Sequence, residues 1–415
     1  MNDVVEYRVY RYRWVVLGVF AVLNAVVQMN WIVFASVTGD AADFYQVSVL
    51  SIGFLSMIYM IVYIVVSIPA SYVIDAYGIR IGVGVGATLT GVFALMRAGF
   101  ATSYPLVVIA TIGLAIGQPF VLNAITKIGA NWFAVTERAT AASIPALAQF
   151  IGIIMALAVA PFLVSNLGIT GMLWVYGALS LAGWIATIVF VRDRPPTPPD
   201  ASDLEERFTV FAGLRHIFAQ RDMLILIALF FVGLGMFNAI STWIEQLVAP
   251  RGFDSEAAGI VGAVMLVGGI AGAGIISVLS DRTRRRKPFL VLALVGVVPG
   301  LIGLTFATTL PLLAVSSFTF GFFLMSAYPV GIQYGAEVSY PAPESTSQGV
   351  IVLAGQVAGV IFIFAMDGLR SGTGGSMSTS MLGFIAMTIA MIVLTSLLRE
   401  SPMIVAERNE PASGT

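Results

Sequence analysis

Cysteine is absent from the 415 residues, and histidine occurs once, at His216. The first absence excludes disulfides, thiol nucleophiles, Cys-ligated metals and prenylation. The second removes the His-Glu-x-x-His pattern, no Ser-His-Asp set is evident with the one histidine in the linker, and no His, Cys or Tyr cluster is placed to ligate haem iron. Charge is scarce as well. Charged residues make up 10% of the chain, against about a quarter in an ordinary soluble domain. A net charge of -1 gives no reason to expect a nucleic-acid partner. Few residues lie outside long apolar runs, so there is no room for a soluble catalytic domain of the usual hundred or so residues. No enzyme and no cofactor is expected, and a lone hydroxyl such as Ser241 reads as a helix-packing group.

Hydrophobic residues make up 58% of the chain, and the mean hydropathy is +0.95. Between Trp14 and Leu398 lie twelve apolar stretches, each long enough (about 20 residues) to cross a bilayer core. The fold class is therefore an all-α membrane protein with twelve transmembrane helices in two six-helix pseudo-symmetric bundles. Spans begin near Trp14, Val47, Ile79, Tyr104, Ala139 and Thr170, and again near Met223, Glu256, Pro288, Pro311, Ser345 and Thr379. The segments are 1-13, an N-terminal tail; 14-191, the first bundle; 192-222, a linker; 223-398, the second bundle; and 399-415, a C-terminal tail. The linker opens with the Pro-rich stretch Arg194 to Asp200, and its part from Asp203 to Gln220 suits an amphipathic surface helix.

The first run is too long for a signal peptide and lacks a cleavage pattern, so it reads as a retained helix. With both termini cytoplasmic, all Lys and Arg except Arg97, Arg251 and Arg370 fall inside. That bias fixes the orientation, and the plasma membrane is the expected location.

An internal repeat appears where the second and third helices of each half join. Asp75-Ala-Tyr-Gly-Ile-Arg80 stands in one half and Asp281-Arg282-Thr-Arg-Arg-Arg-Lys287 in the other. A carboxylate at a helix end, paired with a base, can latch one conformation and release in another; the candidates are Asp75, Arg80, Asp281 and Arg282. Topology signalling explains the run Arg284 to Lys287 equally well. This loop, the six-plus-six division and the central linker resemble the major facilitator superfamily, whose Gly-x-x-x-Asp-Arg-x-Gly-Arg loop is approximated by Ala70 to Arg80. Ala70 and Ala76 depart from that pattern, which implies a weaker latch in the first half. The resemblance implies alternating access around a substrate bound near the midplane.

Helix one carries Asn24, Gln28, Trp31 and Thr38 on one stripe of a 3.6-residue helix, and helix seven repeats the design with Asn238, Ser241, Thr242 and Glu245. Amides on a lipid face are costly, so these stripes should meet protein or a water-filled cavity. Gln118, Asn123, Gln149, Gln333 and Gln356 are further polar groups at membrane depth. Ionisable groups sit toward the ends: Glu245 and Asp367 near the outer face, Lys127 and Glu337 near the inner, and Asp40 just beyond helix one. A midplane without titratable carboxylates favours facilitated diffusion over proton coupling. Trp31, Phe237, Trp243, Tyr59, Tyr63, Tyr328 and Tyr334 are available as aromatic walls. Two desolvated cation-π contacts at about 2 kcal/mol each correspond to a millimolar dissociation constant.

Several runs resemble the FLVCR family of choline, ethanolamine and haem-linked transporters. They are Asn30-Trp31-Ile32, Leu55 to Met60 with Pro69-Ala70, Gly117 to Asn123, Ala130 to Phe133 and Glu137 to Thr140. In the second half they continue as Glu337 to Pro341, Glu344 to Ser347 and Ala354-Gly-Gln356. The resemblance implies an aromatic cage and two glutamines, matched here by Trp31, Met60, Gln118 and Gln356. Where the family's choline carriers place a Tyr in helix seven, this chain has Asn238, with Phe237 beside it.

The expected substrate site is thus Trp31, Met60, Gln118, Gln356, Asn238, Phe237, Gln28, Asn123 and Tyr328, with no metal. The expected activity is transport of a small polar or cationic metabolite, choline or ethanolamine first. Alternatives are a flat, pyridoxine-like compound, haem, or a non-transporting receptor on a transporter fold. The expected partners are the small-molecule substrate and membrane lipid, and the chain is expected to act as a monomer.

Overall fold

The computed structural model describes residues 10–133, 137–197, 210–340, 342, 344–370 and 376–401. The two tails are described only from residue 10 and to residue 401, and the linker stretch 198–209 lies outside the described residues. Among the described residues fifteen α-helices follow one another: α1 (Arg13–Ile32), α2 (Thr38–Tyr45), α3 (Val49–Tyr77), α4 (Ile79–Gly99), α5 (Tyr104–Leu122), α6 (Ile125–Trp132), α7 (Arg138–Phe190) and α8 (Val210–Ala219) in chain order. They continue as α9 (Arg221–Thr242), α10 (Ile244–Val248), α11 (Ser255–Thr283), α12 (Lys287–Phe306), α13 (Leu310–Ser339), α14 (Glu344–Gly368) and α15 (Ser378–Ser396).

Eleven of these helices are long and apolar enough to cross a membrane. One of them crosses twice. α7 runs for 53 residues, about 80 Å at 1.5 Å per residue, more than two bilayer cores. It turns at Gly168, where φ 70 and ψ 176 interrupt the helical backbone. That region of φ/ψ space is open essentially only to glycine, so the arms 138–167 and 169–190 are separate spans and the crossings number twelve. Large apolar side chains on their outer sides, such as Ile68, Phe162, Val315 and Val393, are exposed by 61% or more. Only lipid could bathe such a surface at low cost.

The chain forms two compact units, Met1–Leu204 and Glu205–Thr415. Each has its own apolar core: Leu17, Phe20, Leu23, Val83, Val121 and Trp132 contribute to the first, and Leu226, Phe230, Leu290, Val330, Tyr334 and Ile351 to the second. The packing scheme recurs. In the first unit α1 lies on α7, α3 on α5, and α4 on both α5 and α7; in the second α9 lies on α14, α11 on α13, and α12 on both α13 and α15.

Local signals recur as well. α3 and α11, each of 29 residues, are opened by side-chain caps: Ser48 accepts from the Ser51 N–H and Asp254 from the Ala257 N–H. Burial singles out the helices that carry the polar stripes. The most apolar stretches of α1, α5 and α9 are 67%, 61% and 72% buried, against 28% for α15, so Asn24, Gln28, Gln118 and Asn238 ride on well-buried helices, while Gln149 and Gln356 lie on the more exposed α7 and α14.

Candidate functional site

In the first unit, four of the expected residues converge. Gln28 on α1 and Gln118 on α5 meet through their amides, Gln118 Nε2 donating to Gln28 Oε1 at 2.9 Å. One turn beyond Gln28, the buried Trp31 donates its indole N–H to the Ser56 carbonyl on α3 at 3.3 Å, and the Ser56 hydroxyl reaches back to the Trp31 carbonyl at 3.4 Å. Met60, fully buried, follows Ser56 by one turn on the same face of α3. Gln118 Oε1 and the Gln28 Nε2 donors make no hydrogen bond to the described residues. A neutral acceptor, two donors, an indole and a thioether therefore share one locality.

α1 stops at Ile32 and helix resumes only at Thr38, so the span breaks just past Trp31. The carbonyls released by the break need partners. Ser56 meets that of Trp31, and Arg97 from α4 meets that of Asn30, Nη1 donating at 3.2 Å while Nη2 donates to Asn30 Oδ1 at 2.5 Å.

Asn123 has a different use from the one its sequence position suggests. It accepts from the Tyr63 hydroxyl at 2.9 Å and donates to the Ser67 carbonyl and to the hydroxyls of Ser67 and Ser71 at 3.0–3.1 Å. Its amide ties the end of α5 to α3, with one lone pair of Oδ1 left over. Asn24 is likewise bonded, to the Phe20 carbonyl and to Gln149.

In the second unit Asn238 is buried and makes one long bond, 3.5 Å, to the Gly355 carbonyl of α14. The neighbouring Gln356 is half-buried and makes no hydrogen bond to the described residues. Phe237 does not join them. α9 stays helical to Thr242, so Phe237 points about 100° away from Asn238, into an apolar cavity of about 40 Å³ shared with Phe230, Leu294, Phe323, Leu324 and Tyr328. Tyr328 packs edge-on against Phe230, with ring centroids 5.9 Å apart. Phe237 and Tyr328 line this apolar cavity, and neither Asn238 nor Gln356 is among its lining residues. The break in the span comes later, at Trp243 between α9 and α10, where the indole donates to the Ile363 carbonyl at 3.1 Å and the Arg370 guanidinium lies 5.2 Å from the ring centroid. The buried Glu245, just beyond, accepts from the Ser255 hydroxyl at 3.5 Å.

At the α3–α4 and α11–α12 joins the two acids are held, but by other bases than those nearest in sequence. Asp75 pairs with Lys127 at 3.0 Å, and Arg80 is exposed in the first turn of α4. Asp281 pairs with Arg286, which also pairs with Glu337 of α13 at 3.0 Å; Arg282 is exposed. The reason is geometric. Arg80 lies beyond the Gly78 turn, in α4, and Arg282 is one position along α11 and so about 100° around from Asp281, whereas Lys127 reaches Asp75 from α6 and Arg286 reaches Asp281 from the turn that folds back over the end of α11. Burial pulls the Arg286 guanidinium down, but the hydrogen bonds to Asp281 and Glu337 outweigh it and hold the group above its ordinary range.

The sequence matches the Major Facilitator Superfamily over residues 20–363. The chain belongs to that superfamily. It is a multi-pass membrane transporter and not an enzyme. Solute carrier family 49 member A3 of Xenopus tropicalis is 31% identical over 386 residues, covering 89% of this chain and 80% of that protein. The human choline/ethanolamine transporter FLVCR2 is 26% identical over 381 residues, covering 87% and 72%. Among solved structures, an inward-facing, unoccupied bacterial homologue of the lysosomal transporter Spinster superposes with a TM-score of 0.70 at 16% identity, covering 97% of this chain and 98% of that one. The chain is thus a major facilitator transporter that resembles the FLVCR family.

Within this superfamily member, the residues that sequence reasoning missed are those whose partners lie far along the chain. Asp193, after α7, accepts from the Ile79 N–H at 2.6 Å and caps α4; Glu400, after α15, accepts from the N–H groups of Arg286 and Lys287 at 2.7 and 3.3 Å and caps α12. Trp132 donates to the Arg192 carbonyl and Tyr334 to the Arg399 carbonyl. The available signal was a matched pair, Arg192-Asp193 and Arg399-Glu400, each following the sixth span of its half.

Proposed function

We propose that this transporter moves a small organic cation of the choline or ethanolamine kind by alternating access and facilitated diffusion, with both termini on the cytoplasmic side of the plasma membrane. The observation that carries the reading is the Gln28–Gln118 pair beside Trp31 and Met60: an indole face for a diffuse positive charge, with amide oxygen and nitrogen left over for a hydroxyl or amino tail. The choline/ethanolamine transporter FLVCR2, related over most of its length, supports the same cargo class. Among the described residues no carboxylate is hydrogen-bonded to any of these four, in keeping with a carrier that needs no proton to release its load.

A second reading rests on Asn238 and Gln356. Two amides in the second unit, with Phe237 turned away from them, suit a flat, hydroxylated, neutral ring of the pyridoxine type better than a second cation contact. Uptake of radiolabelled choline, ethanolamine and pyridoxine into proteoliposomes separates the two. Saturable choline or ethanolamine entry that disappears in Trp31→Ala supports the cation reading, and entry of pyridoxine alone supports the second. If none of the three enters, both readings fail.

A further inference from the structure

Arg97 stands at the end of α4, where a count of bases by side places it among the exterior arginines; in the structure only 2% of it is exposed. Its guanidinium donates to Asn30 Oδ1 and to the Asn30 carbonyl, and lies 5.8 Å from the centroid of the Phe34 ring. Asn30 is itself fixed by its amide, which donates to Ser180 Oγ and the Val26 carbonyl. Among the described residues no carboxylate pairs with Arg97; the polar groups around it are Tyr45, Tyr59 and Tyr176. A buried cation normally keeps a counter-charge, since two neutral acceptors leave most of its charge unbalanced.

The tyrosines sharpen the point. Tyr176 donates to the Met155 carbonyl at 3.4 Å, and the Tyr59 hydroxyl oxygen lies against the Arg97 guanidinium with its own O–H given to no acceptor among the described residues. The hydroxyl of Tyr45 is buried with no hydrogen-bond partner among the described residues, as is that of Ser36 in the turn between α1 and α2. The Tyr45 ring is held against Phe34 and Tyr104, with centroids 6.5 and 5.8 Å apart, so its hydroxyl is placed by packing. A guanidinium and two phenol O–H groups are all donors toward a charge. What is missing beside them is an acceptor carrying negative charge.

We propose that Arg97, Tyr45 and Tyr59 form a binding site for a monovalent anionic group in the first unit, filled by chloride or by an acidic group carried on the cargo. The site is distinct in chemistry from the neutral Gln28–Gln118 pair, and Asn30, which Arg97 grips, is the neighbour of Trp31. Occupancy would therefore neutralise a charge one residue from the proposed cation contact.

The test is the melting temperature of the purified full-length protein in sodium chloride against sodium gluconate at fixed ionic strength. Glycine betaine and choline gluconate are then added in chloride-free buffer. A saturable rise with chloride identifies the free ion. A rise with betaine beyond that with choline gluconate, and one that Tyr45→Phe diminishes, identifies a carboxylate on the cargo, and no excess of betaine over choline excludes it. Either response should weaken by about tenfold in midpoint concentration for each hydroxyl lost in Tyr45→Phe and Tyr59→Phe, which keep the packed rings. Arg97→Met should abolish it, and the two phenylalanine variants keep the test decisive if that protein does not fold. The proposal is overturned if neither chloride nor betaine shifts the wild-type protein, or if both phenylalanine variants respond as the wild type does. Because the chloride arm needs no transport cargo, a failure of the choline and pyridoxine readings leaves it intact.

Discussion

The edge of the Trp31 indole is held by its N–H bond to Ser56, and the proposed cation contact is to the face of the ring. Replacing it by Phe keeps a face and loses the hydrogen bond, while Ala loses both. Trp31→Ala should weaken binding of a quaternary ammonium by roughly thirtyfold, the equivalent of one desolvated cation-π contact of about 2 kcal/mol, and Trp31→Phe by much less. Isothermal titration with choline would decide it, and equal losses in the two variants would contradict a role for the ring face. Asn123 should behave in the opposite way. With four hydrogen bonds inside the unit, Asn123→Ala should cost on the order of 1–3 kcal/mol of stability and lower the melting temperature with KM unchanged. A raised KM at an unchanged melting temperature would restore it to the substrate site. Both residues were legible in the sequence as polar groups in apolar helices, but spacing along one helix does not reveal which amide is already satisfied by another. Arg97 was harder to read, because counting bases beside spans sorts charges by side and says nothing of depth.

Two glycines test the element scale. Gly78 joins α3 to α4 at φ 88, ψ 173, and Gly168 divides α7 at φ 70, ψ 176. Each occupies a region that costs other residues about 1–3 kcal/mol. They differ in surroundings. A Cβ at Gly168 meets nothing within 4 Å, whereas one at Gly78 collides with the Asp193 carboxylate that caps α4. Gly78→Ala should therefore lower the melting temperature distinctly more than Gly168→Ala, since it adds a lost cap to the strain; equal shifts would mean the cap contributes nothing. The caps themselves can be removed singly. Asp193→Ala and Glu400→Ala should each cost about 1 kcal/mol, and Asp193→Asn, which keeps an acceptor, should cost little. The twelve spans and their near starts could be read from hydropathy, and the turn between the fifth and sixth from the apolar length alone. Closure of α4 and α12 by acids more than a hundred residues away could not, because a cap supplied from a distant loop leaves no local mark.

At the scale of the whole molecule, the two units repeat one plan with unequal strength. Each holds an exposed acid at the end of its second span, Asp75 at 75% and Asp281 at 66%, but only the second is seen to add a buried acid to the cluster, Glu337 of α13, 7% exposed in its pair with Arg286. An exposed pair contributes about 0–1 kcal/mol. Removing one partner of a buried pair costs about 3–5 kcal/mol where the other is left as an uncompensated charge; Arg286 keeps Asp281, so the loss of Glu337 should cost less than that and still more than the loss of an exposed pair. Glu337→Ala should thus destabilise the protein more than Asp75→Ala. If these clusters also bias the inner side of each unit toward one conformation, the same ranking should appear in function. The absence of native cysteine makes this measurable, since single cysteines introduced near the inner ends of α5 and α13 can be labelled without background. Glu337→Ala should change the labelling rate beside α13 more than Asp75→Ala changes it beside α5. A large change from Asp75→Ala, or none from Glu337→Ala beyond its loss of stability, would show that the clusters brace each unit without selecting its state.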